Sequence, residues 1–393
     1  MASPDSRLKQ ASALRVAVIG AGVIGLSCAL DLLQRGAAVS VFEAGHRGGE
    51  GATRCAAGML GVGFEAAGGG DDPLFRLARR SLELWEGVAA ERGAAVGYSR
   101  SGALACALTA ADEDRLRMLA AACEARGLPA AWLSGADARR MEPGLSRRVR
   151  AAVRLPQDRQ VDARVLQGEL VRALEAAGGE VRYGQAVERI AVGAGADRGF
   201  TLDDGRVWDR VVIATGAGAR PVFARGGEAL DDGMPAIRPV KGQMLALERY
   251  AGAPAHVIRL DKVYVAPKDR WILVGATSEP GRSDSEVEPH VLARLRAAAA
   301  DAVNGIAEAR QVDAWAGVRP ATADGAPMIG ESAIPGVFAA MGHYRNGILL
   351  APGTAERMAD LILDGKVSAD AAAFDPLRFD NRVEAPHSRF SEA

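Results

Sequence analysis

The sequence predicts two interleaved domains, one α/β and one α+β. Three observations carry this. At about 100–200 residues per domain, 393 residues are too many for one ordinary core and suggest two or three. Nucleotide-type units of strand, glycine turn and helix recur at the beginning, middle and end of the chain. The stretches between them read as further, antiparallel-looking strands.

Residues 1–13 read as a loose tail. Residues 14–19 form a short continuous apolar run, as expected of a strand buried on both faces. Helical apolar spacing follows over 23–33, Gly36 stops it, and 39–42 is the second strand. Residues 46–70, with "GGEG" and "AAGGGDD", predict a long loop system, and such loops inside a compact domain are usually functional. Residues 73–92 and 112–126 predict amphipathic helices; "SRSGALACAL" and "VRAAVRLP" predict strands. "DARVLQGELVRALEAAGGEVRYGQAVERIAV" reads as helix then strand, with "AAGG" as the stop. "GFTLDDGRVWDRVVIATGA" is a hairpin turning at Asp204 and Gly205, followed by a buried strand. "KGQMLALE", "VYVAPKDRWILVGAT" and "GVFAAMG" are further strands, and 286–303 a helix. No solenoid repeat is present. The expected division is 14–72, 145–220 and 312–372 for the nucleotide domain, 73–144 and 221–311 for the sheet-rich domain, with tails at 1–13 and 376–393.

Composition narrows the function. Hydrophobic residues at 49% and charged residues at 25% describe a globular protein. A net charge of −1 leaves no basic footprint for nucleic acid and no polybasic membrane signal, so any basic cluster serves a small anion. Cys28, Cys55, Cys106 and Cys123 lack CxxC or Cys/His spacing, which argues against a metal site and against disulfides, and leaves them as small buried residues. No run approaches the ~18 apolar residues of a membrane span. The polar start lacks a secretory apolar region, so a cytoplasmic protein is expected.

The chemistry is concentrated in two glycine loops. Gly20, Gly22 and Gly25, with Val23 and Ile24 between the last two, fit G-x-G-x-x-G after a strand and at the start of a helix. Glu43 ends the next strand 18 residues after Gly25. In such a fingerprint the first glycine permits the turn, the second admits a pyrophosphate to the backbone and the third lets helix and strand pack closely. The helix N-terminus attracts phosphate, and Glu43 can accept from ribose hydroxyls. "VVIATGA" at 211–217, with Thr215 and Gly216, resembles the strand end of flavoproteins of the two-dinucleotide-binding-domain type. A single glycine fingerprint leaves no second site for NAD, so the nucleotide domain is expected to be FAD-binding and Rossmann-type.

Five motifs extend the likeness: "GATRCAAGML" (51–60), "KGQML" (241–245), "VGATSE" (274–279), "WAGVRPATADGAPMIG" (315–330) and "GHYRNGILLAP" (342–352). With them the chain resembles the glycine oxidases of the thiamine pathway, within the D-amino-acid oxidase superfamily, from about Arg15 to about Gly365. Two features depart from that pattern: Gly61-Val62 stands where the family usually has Ala-Pro, and 66–72 is unusually glycine-rich.

The resemblance implies roles. Arg319 would grip the substrate carboxylate with its planar fork, Tyr264 would add a hydroxyl donor, and Arg345 would be a second arginine near carboxylate and flavin. Thr53, Arg54, Ala57, Gly58 and Met59 would wrap the pyrophosphate and the flavin, and the Val187 backbone would pair with adenine. Gly342 and Gly347 would bring the backbone close to the flavin ring, with His343 as a hydrogen-bond donor in the loop. The N–H groups of Asn346, Gly347, Ile348 and Leu349, opening the last helix, would stabilise negative charge on reduced flavin. No cysteine falls in the family's attachment region, so the FAD would be non-covalent. The implied reaction is hydride transfer from the Cα of glycine, or of small amines and D-amino acids, to flavin N5. It gives imino acid or glyoxylate, ammonia and hydrogen peroxide, in thiazole biosynthesis. A D-amino-acid or sarcosine-type dehydrogenase passing electrons to another acceptor is the alternative, and a non-catalytic flavin-binding protein a third reading. The expected partners are a small amino acid and oxygen, with neither nucleic acid nor membrane, in a homo-oligomer.

Overall fold

A computed structural model describes residues 13–46, 51–65, 72–193 and 199–379. The expected end tails, apart from Ala13 and residues 376–379, and the glycine-rich stretches 47–50 and 66–71 lie outside the described residues.

The apolar run at 14–19 becomes the strand Arg15–Ile19 in the middle of a six-stranded sheet. Across the sheet the order is Met328–Glu331, Val337–Met341, Arg210–Ile213, Arg15–Ile19, Ala38–Glu43 and Glu180–Tyr183. All neighbours are parallel except the Met328–Glu331 edge. The alternation of the pleat divides the central strand between two cores. Val16 and Val18 enter a cluster with the helices Val23–Gln34, Ala163–Ala176 and Gly347–Asp364, whereas Ala17 and Ile19 face Ile190, Phe200 and Trp208 of a five-stranded sheet. That two-sided burial is why the strand reads as unbroken apolar sequence. Chain order reverses at Arg15–Ile19, which creates a crevice at the carboxyl ends of this strand and its neighbour Arg210–Ile213.

The second large sheet has nine strands. Along its path run Glu279–Pro280, Arg238–Glu248, Trp271–Gly275, Tyr264–Pro267, Val257–Arg259, Ala103–Ala107, Ala151–Leu155 and Ala131–Ser134, and Gln311–Ala321 pairs with Arg238–Glu248. The helix Pro289–Ala302 covers one face through Leu292, Leu295 and Ala299. Met244, Ala246 and Ala266 on the other face join the core of the nucleotide domain.

These sheets correct three expected boundaries. Ala151–Leu155 and Gln311–Ala321 belong to the nine-stranded sheet, although 145–220 and 312–372 were assigned to the nucleotide domain. Val222–Arg225 and Glu228–Leu230 belong to the five-stranded sheet that covers the nucleotide sheet, although 221–311 was assigned elsewhere. Strand pairing here is long-range, and a segment's own sequence does not say which sheet supplies its partner.

The last helix shows how the core positions the site. Pro352 has no N–H to give the Ile348 carbonyl, and the Gly353 N–H donates instead to Ser81 Oγ at 2.9 Å. The two freed carbonyls, of Ile348 and Leu349, accept from the buried Trp85 indole N–H at 3.2 and 3.0 Å. The first turns of this helix are thereby pinned to the helix Pro73–Arg92. Among the described residues no helix is long and apolar enough to cross a membrane, and no three His, Cys, Asp or Glu residues are grouped to hold a metal.

Candidate active site

The glycine fingerprint occupies the crevice. Gly20 has φ 111°, and a Cβ there would lie 2.4 Å from the Ala214 carbonyl oxygen. A Cβ on Gly25 would lie 2.0 Å from the Gly20 oxygen. Gly22 starts the helix Val23–Gln34 without a side-chain cap, whereas Asp72, Thr109, Ser134 and Asp162 cap other helices. The Val23 N–H donates to the buried Thr53 hydroxyl at 2.9 Å. Glu43 accepts from the Ala21 N–H at 2.8 Å and the Gly45 N–H at 2.9 Å, which fixes its carboxylate and leaves lone pairs for hydroxyl donors. Val187 comes two residues after Gln185, whose N–H donates to the Glu43 carbonyl, and packs on the core under the five-stranded sheet. Thr215 and Gly216, the latter at φ 61°, follow the strand end facing Gly20. Ile24 is part-buried against the core.

Gln167 escaped sequence reasoning. Its amide donates to the Ala21 carbonyl at 2.6 Å, beneath the fingerprint, and its Oε1 is buried with no partner among the described residues. The available signal was one polar residue in the buried stripe Ala163, Leu166, Gln167, Leu170, Leu174.

The loop after Gly51 carries the other expected contacts. Gly58, at φ 73°, presses so closely on Val161 that a Cβ would lie 2.1 Å from its carbonyl oxygen. Ala57 is buried, Arg54 is exposed, and Met59 begins a short strand paired with Gln160. The Cys55 carbonyl accepts from the Trp315 indole at 3.2 Å, and a Cβ on Gly317 would lie 2.3 Å from Cys55 Cβ. The loop around Cys55 is therefore docked on the strand that carries Arg319. Cys28, Cys106 and Cys123 are buried, Cys55 is half-buried, and all four are free.

The Arg319 guanidinium lies across Gly242 of the neighbouring strand, where a Cβ would be 2.4–2.6 Å from its atoms. It donates to the Thr277 carbonyl at 2.9 Å and has no carboxylate partner among the described residues. Thr277 is itself held, its hydroxyl accepting from the Gln243 N–H and donating to Glu279. The sequence motifs around Gly242 and Thr277 thus build the bed for Arg319. We expect Gly242→Ala to displace the guanidinium and raise KM about tenfold or more with FAD content retained, checked by steady-state kinetics at matched flavin occupancy.

Tyr264 pairs with Gly275 and packs its hydroxyl over that glycine. Burial pushes the phenol up to about 12, against the opposing pull of Arg319 and Arg259, so it is a neutral donor at ordinary pH. Arg345 is the residue expected as a second arginine near carboxylate and flavin. It pairs with Glu65 at 3.2 Å, beside the Phe64 ring, and its charge is matched within the chain.

The terminal loop departs from expectation at Asn346. A one-turn 3-10 helix, Tyr344–Asn346, precedes the α-helix, so the Asn346 N–H is spent on the His343 carbonyl at 3.0 Å. Gly347, Ile348 and Leu349 remain as the opening N–H groups, with no side-chain cap at Asn346. His343 is buried with its ring 3.0 Å from Thr354 Oγ1, and burial pushes it down to about 3. It is neutral, and its ring shares a hydrogen bond with the Thr354 hydroxyl. Gly342 is forced by φ 76° and by Thr322, but a Cβ on Gly347 would meet only His343 at 3.7 Å. The protein's own packing does not demand glycine at 347, and the surface there stays open to close approach.

The depressed His343 value makes a stability prediction. Between about pH 3 and the ordinary 6.5 the unfolded chain binds a proton that the native imidazole does not. Stability from this group is complete above pH 6.5 and falls as pH drops, by about 1.4 kcal/mol per unit. Relative to wild type, His343→Gln should flatten the fall of Tm across that window, measured by thermal melts from pH 7 to 4.

The model of the family described as FAD dependent oxidoreductase (DAO) matches residues 15–361. The chain belongs to the FAD-dependent oxidoreductase family. It is 34% identical to a glycine oxidase of Geobacillus kaustophilus, over 94% of this chain and 98% of that one. It is 32% identical to the bifunctional protein ThiO/ThiG of Synechocystis, over 94% of this chain but 55% of that longer one. The crystal structure of the Geobacillus kaustophilus glycine oxidase superposes with a TM-score of 0.84 at 33% identity, covering 93% of this chain and 100% of that one. L-proline dehydrogenase of P. horikoshii shares the fold, with a TM-score of 0.79 at 21% identity, over 93% of this chain and 97% of that one.

FAD fits the flavoenzyme's own features. Around the fingerprint turn stand the uncapped start of the helix Val23–Gln34, the close-packed Gly20 and Gly25, the Glu43 carboxylate fixed by the Ala21 N–H, and Gln167, which donates to the Ala21 carbonyl and keeps its Oε1 unpartnered among the described residues.

Proposed function

We propose that the protein oxidises small amino acids at the Cα–N bond, with glycine as leading substrate and sarcosine and D-amino acids as further ones. The observation that carries this is the Arg319 guanidinium, placed beside Tyr264 without a carboxylate partner among the described residues. A half-buried cation of that kind is matched by the α-carboxylate of a bound substrate. The guanidinium fork supplies two parallel donors and hence an angle as well as attraction. The neutral Tyr264 hydroxyl donates to the same carboxylate. Gly242 and Gly275 beneath these side chains hold both in one orientation, so the substrate presents a fixed Cα–H. Non-covalently bound FAD supplies the two-electron acceptor, which oxygen regenerates with release of hydrogen peroxide. For glycine the balance is glycine, water and oxygen giving glyoxylate, ammonia and peroxide. Similarity to glycine oxidase and to ThiO/ThiG supports this substrate and a use of the imine in thiazole formation.

The test is a panel of glycine, sarcosine, D-alanine, D-proline and L-alanine. Anaerobic bleaching of the flavin and aerobic peroxide release are both followed. Bleaching by glycine and the D-forms, with peroxide in air, is expected. Bleaching without peroxide would make the protein a dehydrogenase, and equal rates with L-alanine would overturn the fixed orientation.

A further inference from the structure

Arg259 played no part in the sequence reading, and the scheme above does not use it. It ends the strand Val257–Arg259, directly across from Tyr264. Its guanidinium stacks on Phe64 at 4.2 Å, and a Cβ on Gly61 would lie 2.5 Å from its Nη2. Among the described residues it has no hydrogen bond and no ion-pair partner within 4.0 Å, and its Nε is buried and unpartnered. Arg345 flanks the same ring but is answered by Glu65. Asp158 exerts the largest attraction on Arg259 yet does not touch it. Its Oδ1 accepts the Gly63 N–H at 2.7 Å, and its Oδ2 is buried without a partner.

A half-buried guanidinium whose Nε is buried and which has no counter-charge in contact is costly to hold, and an anion that meets it gains correspondingly. Arg319 and Arg259 both act on Tyr264, and neither touches a carboxylate among the described residues. The α-carboxylate of glycine answers only the first. We propose that Arg259 is the cation of a second anion subsite, so that the site takes amino acids bearing a second carboxylate, on the nitrogen substituent or on the side chain. This rests on the amino-acid oxidase reading. For an N-carboxymethyl glycine the balance is substrate, water and oxygen giving glyoxylate, glycine and peroxide. The C–N bond on the oxidised side becomes an imine and is then hydrolysed.

The experiment uses holoenzyme and two unreactive ether analogues, oxydiacetate with two carboxylates and methoxyacetate with one. Each Kd is read from perturbation of the flavin absorbance. Wild type should bind oxydiacetate about tenfold or more tighter than methoxyacetate. Arg259→Gln and Arg259→Leu should each bring that ratio to about one. Arg259→Lys should hold it between the two, because it keeps the charge and loses the fork. Flavin content and melting temperature report whether each variant is folded, and one folded neutral variant suffices. If methoxyacetate fails to bind wild type, the Arg319 clamp is wrong and the subsite falls with it. If methoxyacetate binds and the wild-type ratio is near one, or survives in the neutral variant, only the subsite is overturned. Arg259 is then a structural cation answered by Asp158 through water. Parallel assays with iminodiacetate and D-aspartate show whether the second carboxylate is read on nitrogen or on the side chain.

Discussion

Arg319→Met should slow flavin reduction by glycine by about two to four orders of magnitude. Each charge-assisted hydrogen bond contributes roughly 1.5–3 kcal/mol, and a fork makes two. So small a substrate has little else to hold it, so the loss falls on orientation as well as on binding. Arg319→Lys, which keeps charge but loses the planar fork, should lose about one to two orders. Competitive inhibition by glycolate should vanish in the methionine variant. FAD content should be unchanged, because the guanidinium is anchored on Thr277 and Gly242 rather than on the fingerprint loop. Stopped-flow reduction at matched flavin occupancy decides it. Normal reduction by the methionine variant would make Arg319 structural and move the clamp to Arg259 or Arg345.

Gly25→Ala should cost the protein its flavin. The added methyl would lie 2.0 Å from the Gly20 carbonyl oxygen and 3.2 Å from Ala214 Cβ, and neither backbone can yield without opening the crevice. Overpacking of this kind costs about 1–3 kcal/mol or more, here spent on the geometry of the phosphate site. We expect FAD affinity to fall about a hundredfold, measured by titration of refolded apoprotein. Gly87→Ala is the control. Gly87 lies in the helix Pro73–Arg92 with nothing within 4 Å of an added Cβ, so the same methyl should stabilise by about 0.5–1 kcal/mol. A Gly25→Ala protein that binds FAD normally would show that the helix can shift, and that the third glycine is not required.

The sequence by itself determined whatever depends on local pattern. The run at 14–19, the glycine spacing from Gly20 to Gly25 and the acidic strand end at Glu43 specify a nucleotide-binding unit, because backbone sterics and strand burial are written in neighbouring residues. The helix expected at 73–92 has those same limits in the structure for a similar reason: Asp72 caps it and Pro73 starts it. Only the tertiary structure decided what arises between distant segments. Gln311–Ala321 joins the sheet of Arg238–Glu248, which corrects the domain boundary. Arg345 is answered by a residue 280 positions away, Glu65. His343 becomes neutral and pairs with Thr354 because the core closes over it. Arg259 stands out because Tyr264, Phe64 and Gly61 surround it while no carboxylate among the described residues reaches it. A charge's role is set by what lies within a few ångströms of it, and in a sheet built from long-range pairs those neighbours are not the residues beside it in the chain.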